Sequence, residues 1–333
     1  MRQAKLYKYQ LPMDSGVILR ENKLTERVGW IVELTEQGKS GYGEIAPLVG
    51  FSRETTEQAG QQAQVQLEQW VSGEEFPFDD LYPSVASGLS FAELELRAEL
   101  PLAGNYDAAP LCTGDPDLLL PILENLPTEK KVAKIKVGIY EPIRDGMLVN
   151  LFLESIPDLK LRLDANRAWS LEKAEKFSSY IKPSFRHRIE YVEEPCFEPG
   201  NSFTFAINTG IAIAWDETLQ DAIKTADFEL NALTGAKVLI IKPTLIGSVY
   251  RCIELVKEAK RLGITAVISS GIESSLGLTQ LARFSHWQTP DTVPGLDTIK
   301  LFGCQLEVEW PNCTLPLVKL CDQPVVWQSS ECI

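Results

Sequence analysis

Histidine is almost missing from this chain, with only His187 and His286 among 333 residues. Zinc centres and Ser-His-Asp triads both lean on imidazole, so any proton chemistry here falls to lysines and carboxylates. The seven cysteines, at 112, 196, 252, 304, 313, 321 and 332, are odd in number and contain no C-x-x-C pair. That argues against a disulfide framework and fits small buried thiols in a reducing compartment. No apolar run approaches the ~20 residues that cross a bilayer, and the opening MRQAKLYKYQL has no signal-peptide h-region. Basic runs are absent too: 32 Lys plus Arg face 46 Asp plus Glu, for a net charge of −14. Such a field repels phosphate backbones and anionic lipid surfaces. Nucleic-acid and membrane partners are therefore not expected, and a cytoplasmic location follows by exclusion. Neither G-x-G-x-x-G nor G-x-x-x-x-G-K-[ST] follows any strand, so nucleotide-sheet fingerprints are missing as well.

What is present is an ordinary globular composition, 44% hydrophobic and 23% charged, with two textures along it. Residues 1 to 45 read as strands, including a hairpin across the Gly-containing turn Glu36-Gln-Gly-Lys. Helical periodicity follows over Thr55–Val71 and Ser90–Leu100. After the Pro- and Gly-containing stretch 101–110, short apolar strands alternate with helices. The expected strands are Val132–Val137, Leu159–Asp164, Ile189–Glu194, Ile211–Asp216, Lys237–Lys242 and Thr265–Ser270. The helix from Ser170 to Ile181 opens on a Ser N-cap, and that from Ser248 to Leu262 ends at Gly263. Repeated βα units with a polar residue at each strand's C-terminal end favour an α/β fold closed as a (β/α) barrel over an open sheet. The expected organisation is an α+β capping domain over 1–105, a barrel over 106–301, and a segment, 302–333, that returns to the cap.

Three carboxylates end three successive strands: Asp164 in LRLDANRAW, Glu193 in YVEEP and Asp216 in AWDET. At one barrel mouth they converge, and like charges so close call for a cation; an all-oxygen set suits Mg²⁺. Lys134 and Lys136 lie two apart in VAKIKVG and share a strand face, while Lys242 ends VLIIKP. Strand order sets Lys136 and Lys242 on opposite sides of the acids. Repulsion between Lys134 and Lys136, together with the nearby metal, is expected to depress at least one pKa, toward an amine able to accept a proton. The arrangement suits abstraction of a proton next to a carboxylate, where positive charge stabilises the enediolate.

The motifs K-I-K at 134–136, LDANRAW, EEP at 193–195, WDET at 215–218, IKPT at 241–244 and SSGIESSLGL at 269–278 resemble the enolase superfamily. More narrowly, VGIYEPIRDGM, KPTLIGS, ESSLGLTQLAR and PDTVPGLDT are similar to the o-succinylbenzoate synthase family. The likeness is dense from Lys134 to Thr298 and thins to GYGEIAPL in the first hundred residues. Gly271 departs from it, since Ser is expected there. The resemblance implies a Mg²⁺-dependent dehydration, with Mn²⁺ as a substitute metal, of 2-succinyl-6-hydroxy-2,4-cyclohexadiene-1-carboxylate to o-succinylbenzoate in menaquinone or phylloquinone biosynthesis. It assigns proton transfer to Lys136, charge stabilisation of the enediolate to Lys242, and the metal to Asp164, Glu193 and Asp216. Lys134 would tune Lys136, Asn166 and Glu217 would orient ligands or the base, and Arg162 would help anchor anionic groups. Ser269, Ser270 and Gly295 are candidate substrate contacts, and the polar loop 19–27 is a candidate lid.

Two lysines flanking a metal also suit an N-succinylamino-acid racemase or a dipeptide epimerase, which stays open at this point. A Schiff-base aldolase on Lys242 would not need three acids, and a binding protein would not need the lysines. The partner implied is a small carboxylate substrate. Nothing in the sequence sets the oligomeric state, and a monomer is compatible with it.

Overall fold

The computed structural model describes residues 1–14, 18–19, 22–127, 131–225, 228–233 and 235–330. The N-terminal part builds an antiparallel sheet from β1 (Arg2–Pro12), β2 (Glu26–Glu36) and β3 (Lys39–Ile45). β2 and β3 form the expected hairpin, and its turn residues Gln37 and Gly38 both take positive φ, as a tight hairpin turn requires. Helices α1 (Thr56–Ser72) and α2 (Pro83–Leu96) cover one face. Thr55 caps α1 through a capping box with Gln58, and Gly73 ends it in the left-handed region. Helix α2 corrects the expected Ser90–Leu100: it starts at Pro83, in the first turn where proline is tolerated, and stops before Ala98, whose φ is +55°. It is buried on nearly every side, so it carries no amphipathic stripe to read. Gly43 of β3 and Gly88 of α2 let sheet and helix touch, since a Cβ on Gly43 would fall 1.8 Å from the Gly88 carbonyl oxygen.

The barrel runs through β4 (Leu111–Cys112), α3 (Pro116–Glu124), β5 (Val132–Lys136), α4 (Pro142–Ser155), β6 (Lys160–Asp164) and α5 (Leu171–Ser179). It continues with β7 (Ile189–Glu193), α6 (Pro199–Thr209), β8 (Ile213–Trp215), α7 (Glu217–Ala222) and β9 (Val238–Ile241). Helices α8 (Pro243–Ile246) and α9 (Val249–Arg261), β10 (Thr265–Ile268) and α10 (Ser275–Gln288) complete it. The seven strands are parallel neighbours in chain order. The eighth position is an irregular stave: Gly295 bridges Ser269, and the Ala109 amide donates to the Pro294 carbonyl. Inside, Tyr191, Ala214, Val238, Ile240 and Val267 form the apolar plug. A larger core between strands and helices runs on into β1 and β2 through Tyr9, Leu11 and Ile31.

Beyond the barrel the chain forms β11 (Gln305–Leu306) and β12 (Leu317–Val318), then β13 (Val325–Gln328), which pairs antiparallel with β1. The tail thus completes the sheet that the first residues began. Residues 20 and 21 of the expected 19–27 lid lie outside the described residues. Of the rest, Ile18–Leu19 pair with Asn22–Lys23, and Glu26 and Arg27 already belong to β2. Arg27 is buried, and its guanidinium donates to the carbonyls of Ala46, Pro47, Gly271 and Ile272, strapping cap to barrel. Six cysteines are free thiols, and Cys332 lies outside the described residues.

Candidate active site

Period-two alternation sets Lys134 and Lys136 on β5, Asp164 at the end of β6 and Glu193 at the end of β7 on the barrel's inner face. Asp216 follows β8 and Lys242 follows β9, so all six meet at the C-terminal mouth. Asp164, Glu193 and Asp216 are only 3%, 1% and 1% exposed, a degree of burial that demands opposite charge. Lys134 Nζ donates to Glu193 Oε1 at 2.9 Å and Oε2 at 2.7 Å, and lies 3.0 Å from Asp164 Oδ2. Lys136 Nζ approaches Asp164 Oδ2 at 3.3 Å and contacts Asn166 Oδ1. Lys242 Nζ donates to Asp216 Oδ2 at 2.5 Å from the other flank.

Lys134 does not show the expected depression. Burial works to lower the Lys134 pKa, but the carboxylates of Asp164 and Glu193 prevail and hold it well above the ordinary value. The repulsion between the two lysines is the smaller effect. Lys242 is raised likewise: burial opposes, and Asp216 and Glu193 outweigh it. Burial would raise Asp164, yet Lys134 and Lys136 bring it down to about 2. Glu193 is pushed up to about 8 by burial and by Asp164, and Glu217 to about 7 by burial and by Asp216.

Among the described residues the acids do not stand as a ready trio of ligands: Lys134 sits between Asp164 and Glu193, and Lys242 sits on Asp216. The donor set nevertheless fits a hard cation. It is all oxygen and nearly dry, and burial together with the neighbouring Asp164 carboxylate penalises the negative charge on Glu193, which a cation would offset.

The supporting residues divide. The Asn166 amide donates to Asp164 Oδ1 at 3.1 Å, at a φ of +45°. Glu217 is buried, and its Oε2 has no hydrogen-bond partner among the described residues. Ser269 Oγ donates to the Gly295 carbonyl at 3.1 Å. Ser270 is occupied by the next turn: it donates to Glu273 Oε2 and accepts from the Ile272 amide and the Thr298 hydroxyl. Gly271 has a steric reason, since a Cβ there would lie 2.4 Å from Thr244 Cγ2. Arg162 does not reach the mouth. Its guanidinium donates to Glu190 Oε2 and the Val293 carbonyl, each at 2.7 Å, beside a cavity of about 880 Å³ at the barrel's opposite end. Period two points it inward, but a long side chain can lean either way along the strand.

Sequence reasoning missed three residues. Gln220 Nε2 donates to Asp216 Oδ1 at 2.7 Å. Glu44 of the cap accepts from the Ser274 and Gly277 amides, the Ser274 hydroxyl and Tyr9 OH, where α10 begins. Glu194 is fully buried behind Glu193; its signal was the second Glu of E-E-P, which alternation turns outward.

Comparison with known proteins gives consistent results. The family model "MenC, N-terminal domain" matches residues 1–96, and "Enolase C-terminal domain-like" matches 128–308. An o-succinylbenzoate synthase of Vibrio cholerae serotype O1 is 65% identical over 331 residues, covering 99% of each chain. The solved o-succinylbenzoate synthase of Thermosynechococcus elongatus, with Mg in its active site, superposes with a TM-score of 0.73 at 22% identity, covering 95% of this chain and 96% of that one. The L-Ala-D/L-Glu epimerase of Bacillus subtilis also superposes at 0.73, with 20% identity and 91% of each chain covered. At these identities the two structures speak for the fold alone.

Proposed function

The chain belongs to the o-succinylbenzoate synthase family of the enolase superfamily, and from that premise we propose how its own residues carry the reaction. Water is lost from 2-succinyl-6-hydroxy-2,4-cyclohexadiene-1-carboxylate to give o-succinylbenzoate, a step of menaquinone biosynthesis. Lys136, as the free amine, takes the proton α to the carboxylate. The same nitrogen, now an ammonium, hands a proton to the departing hydroxyl on that face. Lys242, held by Asp216 on the other flank, keeps its proton and offsets the charge of the enediolate. Lys134, fixed between Asp164 and Glu193, keeps Lys136 in register at the mouth, and Asn166 orients it.

Asp164, Glu193 and Asp216 would hold Mg²⁺, and Mn²⁺ would substitute for it. When bound, the metal supplies positive charge against the substrate carboxylate as the enediolate develops. Ser269 and Gly295, at the junction of β10 with the irregular stave, would contact substrate. The division at residues 105 and 301 is supported by the change from antiparallel to parallel sheet and by the pairing of β13 with β1. We take the chain as a monomer working in the cytoplasm; no helix among the described residues is long and apolar enough to cross a membrane.

The observation that carries this reading is the pair Lys136 and Lys242 on opposite flanks of three buried acids. It is tested by following the loss of cyclohexadiene absorbance with Mg²⁺, with EDTA, and with Lys136→Ala. Turnover needs both metal and Lys136. Turnover that survives either removal overturns the assignment.

A further inference from the structure

We infer that Glu194 is the positioning residue that locks the three acid-bearing loops into one frame. This rests on the reading that Asp164, Glu193 and Asp216 hold Mg²⁺, and it adds a residue to which that reading gives no part.

Glu194 is fully buried and faces away from the mouth, so it is no ligand itself. Its φ of +44° is unusual for a non-glycine residue, a strain that persists only where the surroundings fix it. Both carboxylate oxygens are fully engaged. Oε1 accepts from the Asp216 amide at 3.0 Å and the Thr218 amide at 2.7 Å. Oε2 accepts from Thr218 Oγ1 at 2.8 Å and Arg167 Nε at 3.1 Å. Arg167, itself at a φ of +61°, returns the grip: its amide donates to the Glu194 carbonyl at 2.7 Å, and Nη2 donates to Thr218 Oγ1 at 3.0 Å.

Glu194 itself follows β7, and its partners come from the segments that follow β6, through Arg167, and β8, through Asp216 and Thr218. Each of those strands delivers one acid. Asp216 gains the most, since its own amide is held by Glu194 while its backbone sits at φ −114° and ψ −81°, outside the regular regions. That conformation aims its carboxylate at Lys242, and Gln220 steadies the other oxygen. A cap for α7 alone would need only the amides of Asp216 and Thr218. The additional reach to Arg167 ties in the loop that follows Asp164, which helix capping does not explain.

The test is Mg²⁺ binding by titration calorimetry on the full chain, with Mg²⁺ activation followed in parallel, for wild type, Glu194→Gln, Thr218→Val and Asp216→Asn. Glu194→Gln keeps the shape but sets an amide against Arg167 and Thr218, and Mg²⁺ should bind about 10- to 100-fold more weakly, the usual scale for groups that orient ligands. Thr218→Val removes the hydroxyl that donates to Glu194 and accepts from Arg167, and should weaken binding about three- to tenfold, as befits two modest hydrogen bonds. The losses should fall mainly on the Mg²⁺ isotherm and activation constant rather than on kcat at saturating metal. A general loss of stability would not produce that split. Wild-type Mg²⁺ affinity in Glu194→Gln overturns the inference whatever its melting temperature; if that variant does not fold, unchanged affinity in Thr218→Val overturns it instead. Asp216→Asn separates the two levels. If it loses Mg²⁺ while Glu194→Gln does not, only this inference fails; if it binds like wild type, the ligand assignment fails and takes the inference with it.

Discussion

Arg162 and Asp164 stand two residues apart on the same face of one strand, yet they belong to different kinds of chemistry. At the N-terminal end of the barrel, Arg162 has its own carboxylate in Glu190 and a carbonyl besides. Its neighbour Arg188 donates to the carbonyls of Leu153 and Ile156. Both guanidinium groups there have partners of their own, and neither shares a carboxylate with the other. At the C-terminal end, Lys134 divides itself between two carboxylates, Asp164 is shared by two lysines, and Glu193 is driven up to about 8. A buried ion pair that satisfies itself is architecture. A buried cluster whose members must share is ready to exchange a partner for a substrate or a metal.

Four substitutions break or sharpen that contrast. The largest effect falls on Lys136→Ala, where loss of the general base should lower kcat about 10²- to 10⁴-fold while the melting temperature barely moves, as steady-state kinetics and calorimetry would show. Lys134→Met should act on stability, because two buried carboxylates lose their shared cation. A cost of about 3–5 kcal/mol is expected in EDTA, shrinking when Mg²⁺ is added; equal cost in both would show that the metal cannot stand in for the ammonium. Arg162→Met should lose about 2 kcal/mol for a charged hydrogen-bonded group in denaturant melts. Its Mg²⁺ affinity should be unchanged, and weaker Mg²⁺ binding would dissolve the distinction between the two ends. The smallest effect is expected of Gly271→Ser, where crowding against Thr244 Cγ2 should cost about 1 kcal/mol; a rise in melting temperature would mean that the Thr244 loop yields freely.

Where the sequence was legible, it was legible for a physical reason. The inner strands are short and apolar with a charged end, so Asp164, Glu193, Asp216 and Lys242 mark their own positions. Thr55, Ser170 and Ser248 announce three helices because an N-cap needs a side-chain acceptor. Where it was not, the signal itself was absent. Helix α2 is surrounded, so its small residues Ser84, Ala86, Ser87 and Gly88 show no period. The eighth stave, around Pro294 and Gly295, has no regular strand to read. Lys134 was expected to repel its neighbour, but the carboxylates that outweigh this come from β6 and β7, far along the chain. Glu194 hid behind Glu193, because alternation assigns it to the outside and only the fold shows how many donors wait there.

The pairing of β13 with β1 carries a consequence for the order of synthesis. β1 is made before any barrel strand, but its outer neighbour emerges only after every barrel strand has been made. Until then the backbone edge of β1 is open to any passing strand, the hazard that edge lysines and prolines reduce. β1 carries Lys5, Lys8 and Pro12. The first strand therefore waits longest for its partner, and it is furnished for the wait.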